Sequence, residues 1–538
     1  MAAYLPTECI NFSFMNRIIL LLIALIPTLD GFGQAAVRRL PQNINRPTIN
    51  LSAPFISLDG STLLFTSDYN GEYEPAVFLA KKEGANWTEP KELAKHINAK
   101  LNFQRGYTLS ADGETLYLTS IKSGGVGGYD IWAGKVTGTS WGDFQNMYAP
   151  INSKLHEGTP TFSPDGMTMY FMRCQKMDLR GAQRCKIMVA QKGANGLWQE
   201  PEELPANINT GNSQTPRISA DGNILIFASD AISPSKGSFD LYVSKKINDR
   251  WTDPQPLDFV NTPGNDQFVS SISNGRYLLK DAPGRFKTEL VEFLVPEQWR
   301  PKAVMKLEGQ ITGADGKPLS AYISVEDLNT RSRFFTGRPD KNGYYFLYLT
   351  EGTRYELSVD PEQGNYTFFS RLFDMTEEES PLVQKVDVAL KPVSAGDVVE
   401  LEGLEFEPHS AVLNDVGNET RRLVRLMKSV PDRSFELQVE FEGYTEDSVQ
   451  SDPDLTEIRI DTIIYQIQDI DTLGQLYSRD STIIETTYHN NRTDQQAQAV
   501  LQALIAQGIE PSRLSYTTSL QEGVLPEKRR TRLRLLIK

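Results

Sequence analysis

Along the first half of the chain, apolar and polar positions alternate in short runs broken by Asp-Gly or Asn-Gly. The runs read "FISLDGSTLLFTSD", "TLSADGETLYLTSI", "TFSPDGMTMYFMRC", "RISADGNILIFASD" and, more weakly, "SISNGRYLLKD". Each is a strand, a tight turn and a second strand, the pattern of a β-hairpin. The turn glycines are Gly60, Gly113, Gly166, Gly222 and Gly275, so the unit recurs about every fifty-three residues. A second strand pair follows in each copy ("EPAVFLAKKE", "GGYDIWAGKV", "RCKIMVAQK", "GSFDLYVSKK"). A tryptophan comes next, at Trp87, Trp141, Trp198, Trp251 and, in the weakest copy, Trp299. Four copies close on an asparagine: Asn98, Asn152, Asn209 and Asn261. Four strands per unit, stacked in series, predict a β-propeller over residues 34–304. Five blades are expected, with "LPQNIN" (Leu40 to Asn45) closing the ring. The Asp-Gly, Trp and Asn positions are expected to be structural.

From about residue 305 the period disappears. Short strands separated by "DG", "KNG" and "EG" turns predict a β-sandwich over 305–393. The aromatic run Tyr344, Tyr345, Phe346 and Tyr348 is expected to divide between its core and its sheet face. Beyond 394 the pattern changes again. "LEGLEFEPHSAVLND" starts a strand, and "VGNETRRLVRLMKSVPD" places Leu423, Leu426, Met427 and Val430 on one helical face. "ELQVEFEGYT" is a strand, "TDQQAQAVLQALIAQ" a second helix ending at Gly508, and "RRTRLRLLIK" a last strand. An α/β domain over 394–538 follows. It is interrupted at 447–489 by "TEIRIDTIIYQIQDI" and "QLYSRDSTIIETTY", a polar hairpin about "DTLG". From Glu446 onward this insert carries ten acidic residues against Arg459 and Arg479.

At 538 residues three domains are a natural division, and 39% apolar content suffices for their cores. The net charge of −14 argues against a nucleic-acid partner. "MNRIILLLIALIPTLDGFGQAA" has the layout of a secretory signal over 1–33, cleaved before Gln34. Its apolar run is too short to span a bilayer comfortably, and no other stretch suggests a transmembrane span in the mature chain. No cysteine follows the run, so a lipoprotein anchor is not expected. Cys174 and Cys185 then remain, set on two apolar strands about a polar turn. They predict a disulfide worth roughly 2–3 kcal/mol, the alternative being two buried thiols. Two cysteines are a poor case for metal, and no cofactor is expected. "GTSWG" at 138–142 matches the nucleophile-elbow pattern without its strand-to-helix context, and no catalytic residues are assigned.

The repeats resemble the WD40-like (PD40) units of TolB and of many Bacteroidetes envelope proteins, on "SPDGMTMYF" and "GGYDIW". "ITGADGKPLSAYISV" and "DKNGYYFLYLTEGTRYELSV" resemble carboxypeptidase regulatory-like domains. "LEFEPHSAVLN", "AQAVLQALIAQGIEPSRL" and the final basic strand resemble the OmpA C-terminal-like domain. The three in this order are similar to PorE-type, OmpA-family proteins of the Bacteroidetes type IX secretion envelope. Those proteins also carry a helical repeat region and a lipid anchor, neither of which this sequence shows.

The resemblance implies a non-enzymatic periplasmic protein at the outer membrane or cell wall. It would bind peptidoglycan through the last domain and an envelope protein through the propeller, as part of or accessory to secretion or gliding. The alternative is a scaffold whose last domain no longer binds the wall. In the family, a G-H-T-D loop supplies an Asp to the peptide stem, and an Arg before a helical Ala supplies the second contact. Here Gly443-Tyr444-Thr445-Glu446 places Glu446 on the Asp position, beside Thr445 and Asp447. Gln496 stands where the Arg would be, and Arg492 is the candidate substitute. "DSV", "DTI", "DTL" and "DST" resemble the Bacteroidetes O-glycosylation motif, which implies Ser448, Thr462, Thr472 and Ser481 as acceptors.

Overall fold

The computed structural model describes residues 37–538 apart from 69–74, 99–105, 138–139, 179–180, 194, 363–364, 377–380, 408–409, 416–417, 443–456, 490–491 and 522–529. Nearly all its regular structure is β-sheet. Five antiparallel sheets follow one another. The first runs Leu51–Ile56, Thr62–Ser67, Ala76–Glu83 and Asn86–Trp87, with Lys91–Glu92 also pairing the third strand. The second and third begin at Tyr107–Leu109 and His156–Phe162, and the fourth at Ser213–Ile218. The fifth is built from Tyr277–Pro283 and Thr288–Leu294, with a single bridge from Ser270 to Leu279 on its inner side. Its outer strand is Val37–Arg39, from the other end of the chain.

Separate apolar clusters join each sheet to the next. Leu279 and Leu290 of the fifth pack with Leu51, Leu63 and Phe65 of the first, so the sheets close into a five-bladed propeller. The turn motif explains the hairpins. In the first blade the Ser57 hydroxyl donates to Asp59 (2.5 Å) and accepts from the Thr62 N–H (2.9 Å), while Asp59 accepts from the Ser61 N–H. Gly60 completes the turn at φ +71°, a conformation that a side chain would strain. Ser110 with Asp112, Ser163 with Asp165 and Ser219 with Asp221 repeat this geometry.

The inner strands carry a second recurring feature. Three are bulged four residues before the turn serine, at Ala53 (φ 47°), Thr159 (φ 49°) and Thr215 (φ 48°), and Gly106 (φ 86°) stands in the same place in the second blade. A bulge twists the strand and re-aims the side chains that follow it. Two residues on, Phe55, Thr108, Thr161, Arg217 and Ser271 all line one axial cavity.

The sandwich has one sheet of Val304–Gly313, Tyr344–Thr350, Val383–Lys385 and Val388–Leu390. The other holds Ser332–Gly337, Ala321–Asp327, Arg354–Pro361 and Phe369–Asp374. Alternation decides the core: Tyr345, Leu347 and Leu349 meet Tyr355, Leu357 and Val359 between the sheets. Tyr344, Phe346 and Tyr348 therefore face outward. They do not lie bare, because Tyr348 packs with Val304, Ala220 and Leu58 against the propeller and donates to the Ala111 carbonyl (3.1 Å).

The last domain is a four-stranded mixed sheet in the order Val398–Glu400, Arg530–Ile537, Phe435–Glu442, Leu514–Gln521. Phe435–Glu442 is antiparallel to the last strand and parallel to Leu514–Gln521. Helices Glu419–Ser429 and Thr493–Ala506 bury Leu423, Leu426, Met427, Ala497, Val500 and Leu504 in its core. The edge strand is Val398–Glu400, while Leu404–Phe406 and Leu413–Asp415 form a separate small hairpin. The insert is a two-stranded ribbon, Glu457–Ile470 paired with Leu476–His489, and among the described residues it joins no other sheet. No helix among the described residues is long and apolar enough to cross a membrane.

Candidate functional site

Strands Phe435–Glu442 and Leu514–Gln521 run in parallel and are connected through helix Thr493–Ala506. A crossover helix runs antiparallel to its strands, so its N-terminus lies on the side where Phe435–Glu442 ends. The chain leaves that strand end directly into residues 443–456. The loop residues Thr445, Glu446 and Asp447, and the acceptor Ser448, lie outside the described residues.

The helical half of the candidate site is described. Arg492 is the N-cap residue and is buried, with one guanidinium nitrogen 3.5 Å from the Ser410 carbonyl. Thr493 is buried beside it, and Gln496 follows one turn on, its N–H donating to the Arg492 carbonyl (3.0 Å). The Gln496 side chain is 4% exposed, yet its Oε1 has no hydrogen-bond partner among the described residues. A buried amide oxygen left unpaired costs about 1–3 kcal/mol, which a donor from outside the helix would offset. A helix N-terminus and a guanidinium both favour an anion. Asp494, also in the first turn, is engaged by Tyr516 (2.8 Å) and Gln498 (2.8 Å). Arg492 and Gln496 are thus brought together at a helix start whose chemistry suits a carboxylate.

On the ribbon, Thr462 and Thr472 are exposed and Ser481 is half-buried. Thr462 and Ser481 lie on opposite faces, because Thr462 pairs with Ile484 and Ser481 with Tyr465. Cys174 and Cys185 face each other across the long hairpin of the third blade and are joined in a disulfide, both fully buried. Ser140 of "GTSWG" begins a strand, and Trp141 is buried with its N–H donating to the Gly113 carbonyl.

The channel position two residues before each turn serine escaped the sequence reading. Its signal was present: that position is Phe55, Thr108, Thr161, Arg217 and Ser271 in successive copies, so a single copy carries a charge.

No family model and no curated protein matches the sequence. Solved structures that it resembles include TolB from Acinetobacter baumannii, at 15% identity over 46% of this chain and 54% of that one, with a TM-score of 0.29. The chain thus spans about half the length of that protein. A putative TolB from Agrobacterium tumefaciens matches at 14% identity over 59% of this chain and 97% of that one, with a TM-score of 0.29. A thermostable family-43 glycoside hydrolase matches at 11% identity over 47% and 94%, with a TM-score of 0.32.

Proposed function

We propose that this is a non-enzymatic periplasmic envelope protein, associated with the outer membrane, that binds peptidoglycan through its C-terminal domain and a protein partner through its propeller. The observation that carries the reading is buried Arg492 one turn before Gln496, whose amide oxygen is unpartnered among the described residues, at a helix start on the side where Phe435–Glu442 ends. A peptide stem that ends in a zwitterionic diamino acid needs a cation for its carboxylate and a carboxylate for its amine. In this reading Arg492 takes the first role and Glu446 the second.

The test is co-sedimentation of the full chain with purified sacculi. Wild type is expected in the pellet, and Glu446→Ala and Arg492→Ala are expected to shift at least tenfold more protein to the supernatant. Wild type that stays in solution would leave the scaffold alternative.

A further inference from the structure

Arg217, half-buried, is unlike the other inward-facing cations of the propeller. Arg173 meets the fully buried Glu157 at 2.8 Å, and Lys280 meets buried Asp266 at 2.8 Å. Arg217 has no carboxylate partner among the described residues. Its Nε donates to the Val269 carbonyl of the fifth blade (3.0 Å), and one Nη reaches the Thr108 hydroxyl of the second at 3.4 Å. Its guanidinium lies 5.3 Å from the Phe55 ring centroid of the first blade. Burial pushes its pKa down to about 10, so it stays charged at neutral pH. A cation–π contact contributes about 1 kcal/mol, whereas removing a charge from water costs several. The second Nη, without a partner among the described residues, is the place where a counter-charge fits.

The space beside it is small, about 40 Å³, and is walled by Ser110, Thr161, Ser163 and Ala220 among others. Ser163 and Ala220 also line a neighbouring cleft of about 400 Å³ between the propeller turns and the sandwich. That volume is in the range of small-ligand sites, which favour domain junctions. The cleft presents Phe334, Phe346 and Tyr348, and its propeller wall carries Asp165 and Asp221. Two carboxylates in the cleft wall disfavour a multiply charged anion, and the planar guanidinium fork matches a carboxylate.

We propose that the cleft and the channel end together form a binding site for a single carboxylate on an apolar body. The carboxylate meets Arg217, and the body rests on Phe334, Phe346 and Tyr348. A free aromatic acid and a peptide C-terminus share this chemistry.

The experiment is calorimetric titration of the full chain with three probes: 3-phenylpropionate, a tetrapeptide ending in a free phenylalanine carboxylate, and the same tetrapeptide amidated. At least one acid is expected to bind, and the amide at least tenfold more weakly than its acid. Binding by 3-phenylpropionate alone assigns the site to small acids, and binding by the tetrapeptide alone to peptide termini. Arg217→Gln keeps hydrogen-bond donors but no charge, and is expected to abolish the preference for acids. Phe334→Ala alters a ring that is 44% exposed, so the fold should stand while acid binding weakens at least fivefold. The proposal is overturned if neither acid binds the folded wild type, or if acid and amide bind equally. It is also overturned if both variants bind as wild type does. Should Arg217→Gln fail to fold, unchanged binding by Phe334→Ala overturns it alone. The outcome does not depend on sacculus binding, which uses residues of another domain.

Discussion

Five asparagines do the same work in five blades. Asn98, Asn152, Asn209 and Asn261 each accept, through Oδ1, from the backbone N–H of a third-strand residue: Val77, Ile131, Ile187 and Leu241. In three of them the amide also donates back to the carbonyl of that same residue. Asn45 makes both bonds to Leu290, so the N-terminal segment supplies the fifth blade with the clamp its own repeat lacks. Truncation leaves the buried N–H unpaired, at a cost of about 1–3 kcal/mol, while the carbonyl keeps a backbone donor, as Ile187 does from the Leu204 N–H (2.9 Å). Asn209→Ala is therefore expected to lower propeller stability by about 1–3 kcal/mol, measured by chemical denaturation. Asn45→Ala should cost a similar amount and also loosen Val37–Arg39 from its strand, seen as faster hydrogen exchange at residues 37–39. A loss below about 0.5 kcal/mol at either position would mean that water replaces the amide.

At the scale of elements, the blades were legible because each repeats a local signal: a serine-aspartate-glycine turn flanked by alternating apolar residues. What local pattern does not carry is which elements meet. Nothing in "TPRIS" distinguishes a strand facing solvent from one facing an axis, so Arg217 emerged only when the ring brought positions fifty residues apart around one cavity. The Arg492 and Gln496 pair was named through the family resemblance and a one-turn spacing, but its burial was not legible. The same holds for helix Glu419–Ser429, where the apolar face was readable while its charged face was not. Arg422 makes two hydrogen bonds to Glu356 of the sandwich (2.6 and 3.0 Å), and Glu419 accepts from Ser370 (2.6 Å). Burial pushes the Glu356 carboxyl from an ordinary 4.5 up to about 7, against the opposing hydrogen bonds and charge of Arg422. Glu419 is fully buried; burial first and then the Glu356 charge push its pKa from an ordinary 4.5 up to about 8. The folded protein thus keeps a proton that the unfolded chain releases. This contribution is fully present below about pH 4.5 and is lost as pH rises through about 8. Stability of the C-terminal domain and its joint, followed calorimetrically, is expected to fall between about pH 4.5 and pH 8, by at most about 1.4 kcal/mol per pH unit for each of Glu419 and Glu356. Glu419→Gln keeps the neutral shape and should remove the Glu419 share of this dependence, leaving the smaller Glu356 share. An equally steep profile in the variant would place the titrating group elsewhere.

At the scale of the molecule, the sandwich is covered on both outer faces, and the two coverings differ in kind. Toward the propeller the contact is apolar, through Tyr348, Val304, Ala220 and Leu58, with backbone bonds from Val304 to Ser273 (3.1 Å) and from Lys302 to the Asp221 carboxylate (2.9 Å). Toward the last domain it is ionic, with Arg422 on Glu356, Arg425 on Asp360 and Arg354 on Glu405. The alternation that buries Tyr355, Leu357 and Val359 necessarily turns Glu356 and Asp360 outward, so one strand serves a core and an interface at once. The two joints should therefore fail independently. Tyr348→Ala removes a buried ring and its hydrogen bond to Ala111, worth about 3–5 kcal/mol by analogy with core truncations. The expected result is faster proteolysis between residues 295 and 303 and a larger radius of gyration in solution scattering. The pH profile set by Glu419 should be unchanged, since that residue belongs to the other joint. If Tyr348→Ala also shifted that profile, the sandwich would be transmitting strain from one face to the other. The carboxylate proposed at Arg217 would then bear on the C-terminal domain, because its apolar body rests on the same ring.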